Sequence, residues 1–162
     1  MNTTGVDSSK IPELLRPRLA NHLAALAQRD GAAASLELPS RLADSLPRVW
    51  ACSDFVAEAC LRDEALLEWL GSTAGRLHGS ADRQWLAAGL EDLIGGNDDD
   101  AHYLAALRRF RRRQLARIAW RDLASFADVD EILLELTLLA DVCIDSVFRR
   151  ANLQLSARHG AP

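Results

Sequence analysis

Aromatic side chains make up only 6% of the 162 residues, and there are three cysteines. Cys52, Cys60 and Cys143 show no Cys-x-x-Cys spacing and are odd in number, which argues against both a disulfide framework and a zinc site. They read instead as small, buried apolar residues. Residues 1–10 lack a basic start followed by an apolar stretch, so no secretory signal is expected, and a cytoplasmic location is expected with it. Long uncharged runs are missing as well. The most apolar stretch, residues 132–148, is interrupted by Glu135, Asp141 and Asp145, whose charges are costly in hydrocarbon, and no membrane span is expected. No segment alternates polar and apolar residues with β-branched enrichment, and no internal repeat is evident. The formal net charge of -4 excludes a surface that is basic throughout, as a nucleic-acid partner would require, so any basic patch must be local.

What is abundant is apolar and helix-forming. Hydrophobic residues reach 49%, enough for a core, and Leu and Ala, which dominate, lose little entropy in a helix. An all-α bundle of about five to seven helices is expected, the last two long. Residues 1–10 hold almost nothing to bury and read as a loose tail, leaving 11–160 as the helical domain. Leu15, Leu19, Leu23 and Leu26 predict a helix over 12–28, with Pro17 delaying or kinking its start and Asp30-Gly31 ending it. Residues 32–39 read as a connection leading to Ser40 as the next cap. From 40 to 70 the spacing is helical but broken, with Ser53 and Asp63 as candidate caps and Gly71 as a stop. A Gly- and Ser-rich stretch follows, then a helix over 81–93 closed by Gly95-Gly96. The penultimate helix should start within Asp98, Asp99 and Asp100 and run to about Ser125. The last starts at Asp128 with Glu131 three residues on, and its apolar positions cover so much of its circumference that it reads as buried among others, the core of the domain.

One local feature stands out: Arg108-Arg109-Phe110-Arg111-Arg112-Arg113, continued by Arg117 and Arg121 on the same helix. A solvated basic face, a nucleic-acid contact and a docking surface for protein are the three readings; no aromatic platform supports the second. At about 100° per residue, Leu104, Leu107, Leu115 and Ile118 share a stripe that includes Arg111, whereas Arg109, Arg113 and Arg117 lie roughly opposite with Trp120. An arginine on a core-facing stripe must reach solvent or meet a carboxylate, so Arg111 is the candidate for a structural ion pair. The opposite face, Arg109, Arg113, Arg117 and Trp120, is the candidate docking face, unless another helix of the same bundle covers Trp120. No metal, catalytic or cofactor-binding residues emerge. The aspartates 98–100 point in different directions and read as a cap, the four histidines form no i, i+4 pair, and the glycine stretches lack a phosphate-cradling context.

The segment 107–124, LRRFRRRQLARIAWRDLA, resembles a characteristic stretch of the bifunctional glutamine synthetase adenylyltransferase/adenylyl-removing enzymes. Residues 46–61, LPRVWACSDFVAEACL, and 139–145, LADVCID, are similar to the same family in consistent order. The resemblance implies a helical front region preceding a nucleotidyltransferase fold, in the half that removes AMP from a glutamine synthetase tyrosine by phosphorolysis; the other half attaches it from ATP. In that family a Gly-Lys-Leu-Gly-Gly segment and paired aspartates bind the catalytic magnesium ions. This chain stops at residues 158–162 close to where that segment is expected to start, so no catalytic residue is carried over. Magnesium and ATP are implied for the complete enzyme, and none for this chain. The implied partners are the remaining catalytic domains, glutamine synthetase and the PII signal protein, with glutamine as a further regulator and no nucleic acid or membrane. The parent is an enzyme, and this chain alone is expected to be inactive. The alternative is a free-standing helical interaction module.

Overall fold

The computed structural model describes residues 11–30, 38–97 and 99–160. Seven α-helices lie among them, α1 (Arg16–Asp30), α2 (Ser40–Cys52), α3 (Asp54–Arg62), α4 (Leu66–Gly71), α5 (Arg83–Ile94), α6 (Asp100–Leu123) and α7 (Val129–His159), and no strand. The all-α expectation holds, including the two long final helices. The expected tail, residues 1–10, Gly31, most of the connection 32–39 and Asp98 lie outside the described residues.

Local chemistry explains most of the boundaries. A 3-10 turn over Glu13–Leu15 precedes α1, and Pro17 sits in the first helical turn, where its missing N–H leaves no hydrogen bond unmade. Ser40 turns out to be the first residue of α2; Pro39 caps it, its carbonyl accepting the amides of Leu42 at 2.9 Å and Ala43 at 3.0 Å. Ser53 does cap α3, its hydroxyl accepting the Val56 amide at 3.3 Å. At the next break it is the backbone carbonyl of Asp63 that receives the Leu66 amide, at 2.9 Å. Asp82 caps α5 through Trp85 N–H at 2.8 Å, and Gly95, at φ 62°, ends it in the left-handed conformation glycine favours. Asp99 caps α6, accepting the His102 amide at 2.7 Å.

The chain forms two compact units, residues 1–79 with 116–128, and residues 80–115 with 129–162. In the first, α1 to α4 and the end of α6 enclose Trp50, Leu42, Leu66, Leu67, Leu70 and Trp120. In the second, α7 packs on α5, with Ile132, Leu139 and Val142 buried, and meets the first part of α6 through side-chain hydrogen bonds. Two polar contacts seal this packing. Glu135, buried, accepts the Ala81 amide at 2.7 Å, and the Tyr103 and Ser146 hydroxyls lie 2.9 Å apart. The expectation that α7 is the enclosed core of the domain is therefore corrected. Its apolar residues form two stripes, and only one is covered; Leu133, Leu136, Ile144, Val147 and Phe148 are exposed. A helical sequence reports how much apolar surface it carries, but whether a second face meets a partner depends on what else folds beside it.

Candidate functional site

Arginine is concentrated on α6, and the structure sorts the run into distinct environments. Arg108, Arg109, Arg111 and Arg112 are exposed and Arg113 is half-buried, whereas Arg117 and Arg121 are 0% and 1% exposed. The buried pair faces the segment 75–79, which follows a 3-10 turn at Thr73–Gly75. Such a segment makes few repeating hydrogen bonds, so its carbonyls need other donors. Arg117 supplies them. Its Nε donates to Gly75 O at 2.9 Å, and its Nη2 to Arg76 O at 3.0 Å and to Gly79 O at 2.6 Å. One turn on, Arg121 Nε donates to Leu77 O at 3.1 Å. The fixed fork of the guanidinium suits several carbonyls at different angles, which a lysine ammonium on a flexible stem does not match. Gly75 allows the close approach: a Cβ there would meet the Trp69 carbonyl and come within 3.0 Å of Leu70 Cα.

These positions correct two expectations. Arg111 is exposed and makes no ion pair among the described residues, so it is no buried structural pair. The buried arc of α6 runs instead through Tyr103, Ala106, Phe110, Gln114, Arg117 and Arg121, spaced by three, four, four, three and four. Of the expected stripe, Leu104 is exposed, Leu107 and Leu115 are half-buried and Ile118 is buried. Hydrophobicity alone favours the leucine arc; on the buried arc Tyr103, Arg117 and Arg121 find hydrogen-bond partners, whereas Gln114 Oε1 has none among the described residues. The proposed docking face is corrected on the same grounds. Trp120 is 0% exposed, enclosed in the core of the first unit, and its Nε1 donates to Ser45 Oγ at 2.9 Å. Arg117 is buried beside the turn, so Arg109, Arg113, Arg117 and Trp120 do not form one open surface. The alternative, that the bundle itself covers Trp120, is the arrangement observed.

Sequence reasoning did not single out Arg121 as buried, and missed Glu135 as an amide acceptor. Its available signal was the i, i+4 pair Arg117 and Arg121 alongside a Gly- and Ser-rich stretch with carbonyls to satisfy.

The exposed arginines face other surroundings. Arg108 and Arg111 form one wall of a groove of about 540 Å³ between α6 and α7, with Cys143, Ile144, Val147 and Phe148 across from them. Partial burial pushes the Cys143 thiol above its ordinary pKa, and the nearby Arg111 charge opposes that rise. Cys60, enclosed in the first unit, is pushed up to about 12, chiefly by burial. Neither environment yields a thiolate nucleophile at neutral pH. Elsewhere His22 Nε2 lies 3.0 Å from Asp54 Oδ1, and Arg18 Nε 3.1 Å from the same oxygen, in an exposed cluster. Asp99 is used as a cap, and Asp100 accepts bonds from Arg150 Nη2 and Gln154 Nε2, both at 2.7 Å. Among the described residues no three His, Cys, Asp or Glu side chains gather into one cluster.

The described residues define an all-α protein region in which the buried arginines of α6 hydrogen-bond backbone carbonyls. The family model for glutamate-ammonia ligase adenylyltransferase matches residues 43–162, and the chain belongs to that family. Relatives include the bifunctional glutamine synthetase adenylyltransferase/adenylyl-removing enzymes of Nitrosococcus oceani, 34% identical over 94% of this chain, and Thioalkalivibrio sulfidiphilus, 37% identical over 94%. That of Pseudomonas aeruginosa is 40% identical over 85% of the chain. The match takes in 16%, 15% and 14% of these relatives respectively, so the chain spans about a sixth of their length. No solved structure matches the chain. Among the described residues, no helix is long and apolar enough to cross a membrane.

Proposed function

We propose that this chain is the helical front portion of the adenylyl-removing half of a two-headed cytoplasmic enzyme that adenylylates and deadenylylates glutamine synthetase, and that it holds no catalytic group of its own. The observation that carries the reading is the family match over residues 43–162 at about a sixth of the relatives' length. The use of the arginine-rich helix supports it. Arg117 and Arg121 are taken up by backbone carbonyls, and no described cluster offers the metal-held charge stabilisation that nucleotidyl transfer depends on. Magnesium, ATP, glutamine synthetase and the PII signal protein then belong to the complete enzyme, with this region as part of the scaffold beside its catalytic domains.

The test is to incubate the purified chain with adenylylated and unmodified glutamine synthetase, magnesium, ATP and phosphate. No AMP should be added or removed; turnover abolished by a chelator would overturn the assignment. The second reading, a free-standing helical interaction module, draws on the open apolar stripe of α7. Extending the gene sequence past codon 162 separates the two: a glycine-rich, paired-aspartate segment in frame supports the first reading, and a stop codon the second.

A further inference from the structure

Helix α7 carries a second apolar stripe, Leu133, Leu136, Ile144, Val147 and Phe148, beside the covered one; Ile144 is 66% and Phe148 67% exposed. The spacing of three and four residues, with Ala140 and Ala151 completing it, keeps these positions on one side over five turns, about 27 Å at the usual rise. Leu104 and Leu107 of α6 extend it across the groove. Contiguous exposed apolar surface of this extent marks an interaction site. The wall of the groove adds a second requirement. Arg108 and Arg111 stand beside the apolar floor, and neither forms an ion pair among the described residues. Anything that covers the floor also removes water from these two charges, and must bring carboxylates to offset that cost.

We propose that this groove seats an amphipathic helix with carboxylates flanking its apolar face, supplied by the part of the longer polypeptide that lies outside these 162 residues. Three observations select this occupant. A helix is the shape that fits a straight stripe between two helices, presenting residues at i, i+3, i+4 and i+7. The wall of the groove carries two like charges, Arg108 and Arg111, so an occupant with acidic flanks is favoured over one without them. The relatives, finally, have 84% or more of their length outside the matched region, ample to supply the helix. The inference rests on the family reading only for the existence of that further polypeptide.

Cys143, in the groove, serves as the reporter, in a Cys52→Ser background that removes the exposed thiol. Alkylation by N-ethylmaleimide, followed by mass spectrometry of the Cys143 peptide, is compared between the 162-residue chain and the longer chain encoded by the gene. Labelling should be at least tenfold slower in the longer chain. Reversing the wall with Arg108→Glu and Arg111→Glu should bring the longer chain to within twofold of the 162-residue chain carrying the same two changes, the comparison that cancels the slower alkylation expected once the Arg111 charge no longer favours the Cys143 thiolate, while helical circular dichroism of the 162-residue chain stays unaltered. Equal labelling in both chains, protection that survives the charge reversal, or a gene that ends at codon 162 each overturns the proposal. Concentration-dependent protection of the 162-residue chain with a dimer mass in sedimentation would assign the groove to a second copy and overturn it too. Adenylyl transfer by a longer chain whose Cys143 remains unprotected would keep the functional reading and reject this one.

Discussion

Replacing Arg117 with Met preserves the apolar stem and removes only the guanidinium, which isolates what the buried charge contributes. Three hydrogen bonds disappear, those to the carbonyls of Gly75, Arg76 and Gly79. A hydrogen bond from a charged donor contributes about 1.5–3 kcal/mol, so the gross loss is about 4.5–9 kcal/mol. Part is recovered, because an arginine at 0% exposure has itself been taken out of water at a cost of several kcal/mol. The net expectation is about 3–5 kcal/mol of lost stability, or a melting temperature lower by about 6–20 °C for a chain of this size. Arg117→Lys should fall between variant and parent, since an ammonium keeps the charge but cannot span the carbonyls as the planar fork does. Arg111→Met and Arg112→Met, both at exposed positions, should stay within about 0.5 kcal/mol of the parent. The measurement is urea unfolding followed by circular dichroism at 222 nm. If Arg117→Met and Arg112→Met have equal midpoints and slopes, the carbonyl-stapling account is refuted.

The turn that Arg117 holds makes a second demand: Gly75→Ala drives a methyl into the Trp69 carbonyl and should cost about 1–3 kcal/mol, whereas Gly79→Ala, with nothing within 4 Å of its added carbon, should be near neutral. Paired thermal melts decide this, and an equal effect at the two glycines would contradict the geometry. In the second unit, hydrogen bonds from Arg150 and then Gln154 hold the Asp100 carboxyl below its ordinary value. A carboxyl with a lowered folded-state pKa stabilises the fold above its unfolded-state pKa of about 3.9 and loses that contribution as pH falls from there through the depressed value. Titration of the Asp100 carbon resonance by NMR should therefore show a midpoint below about 3.9 that rises in Arg150→Ala; an unchanged midpoint would show that Arg150 is not the cause.

Much of the fold was legible because it depends on neighbours in sequence. The 3.6-residue recurrence of leucine and alanine, the hydroxyl of Ser53, the glycines at 71 and 95 and the carboxylate of Asp99 act within a turn or two of where they stand. The stripe Leu104, Leu107, Arg111, Leu115 and Ile118 was also legible as geometry, since 100° per residue holds wherever the helix lies, and Ile118 is buried. How much of the stripe is buried was not legible. Which arc of α6 faces inward was decided by the carbonyls of residues 75–79, some forty positions away, which make Arg117 and Arg121 better core residues than Leu104. Trp120 is inside for the same reason, with Ser45 as its distant acceptor. That apolar positions cover most of the circumference of α7 was legible in the sequence, but which of them are covered and which open was not, because that distinction is made by the surfaces that fold against them. Local spacing determined that this protein is a set of helices and where each begins; only tertiary contact decided which faces are closed, because a buried charge is tolerated solely where remote groups meet it with hydrogen bonds.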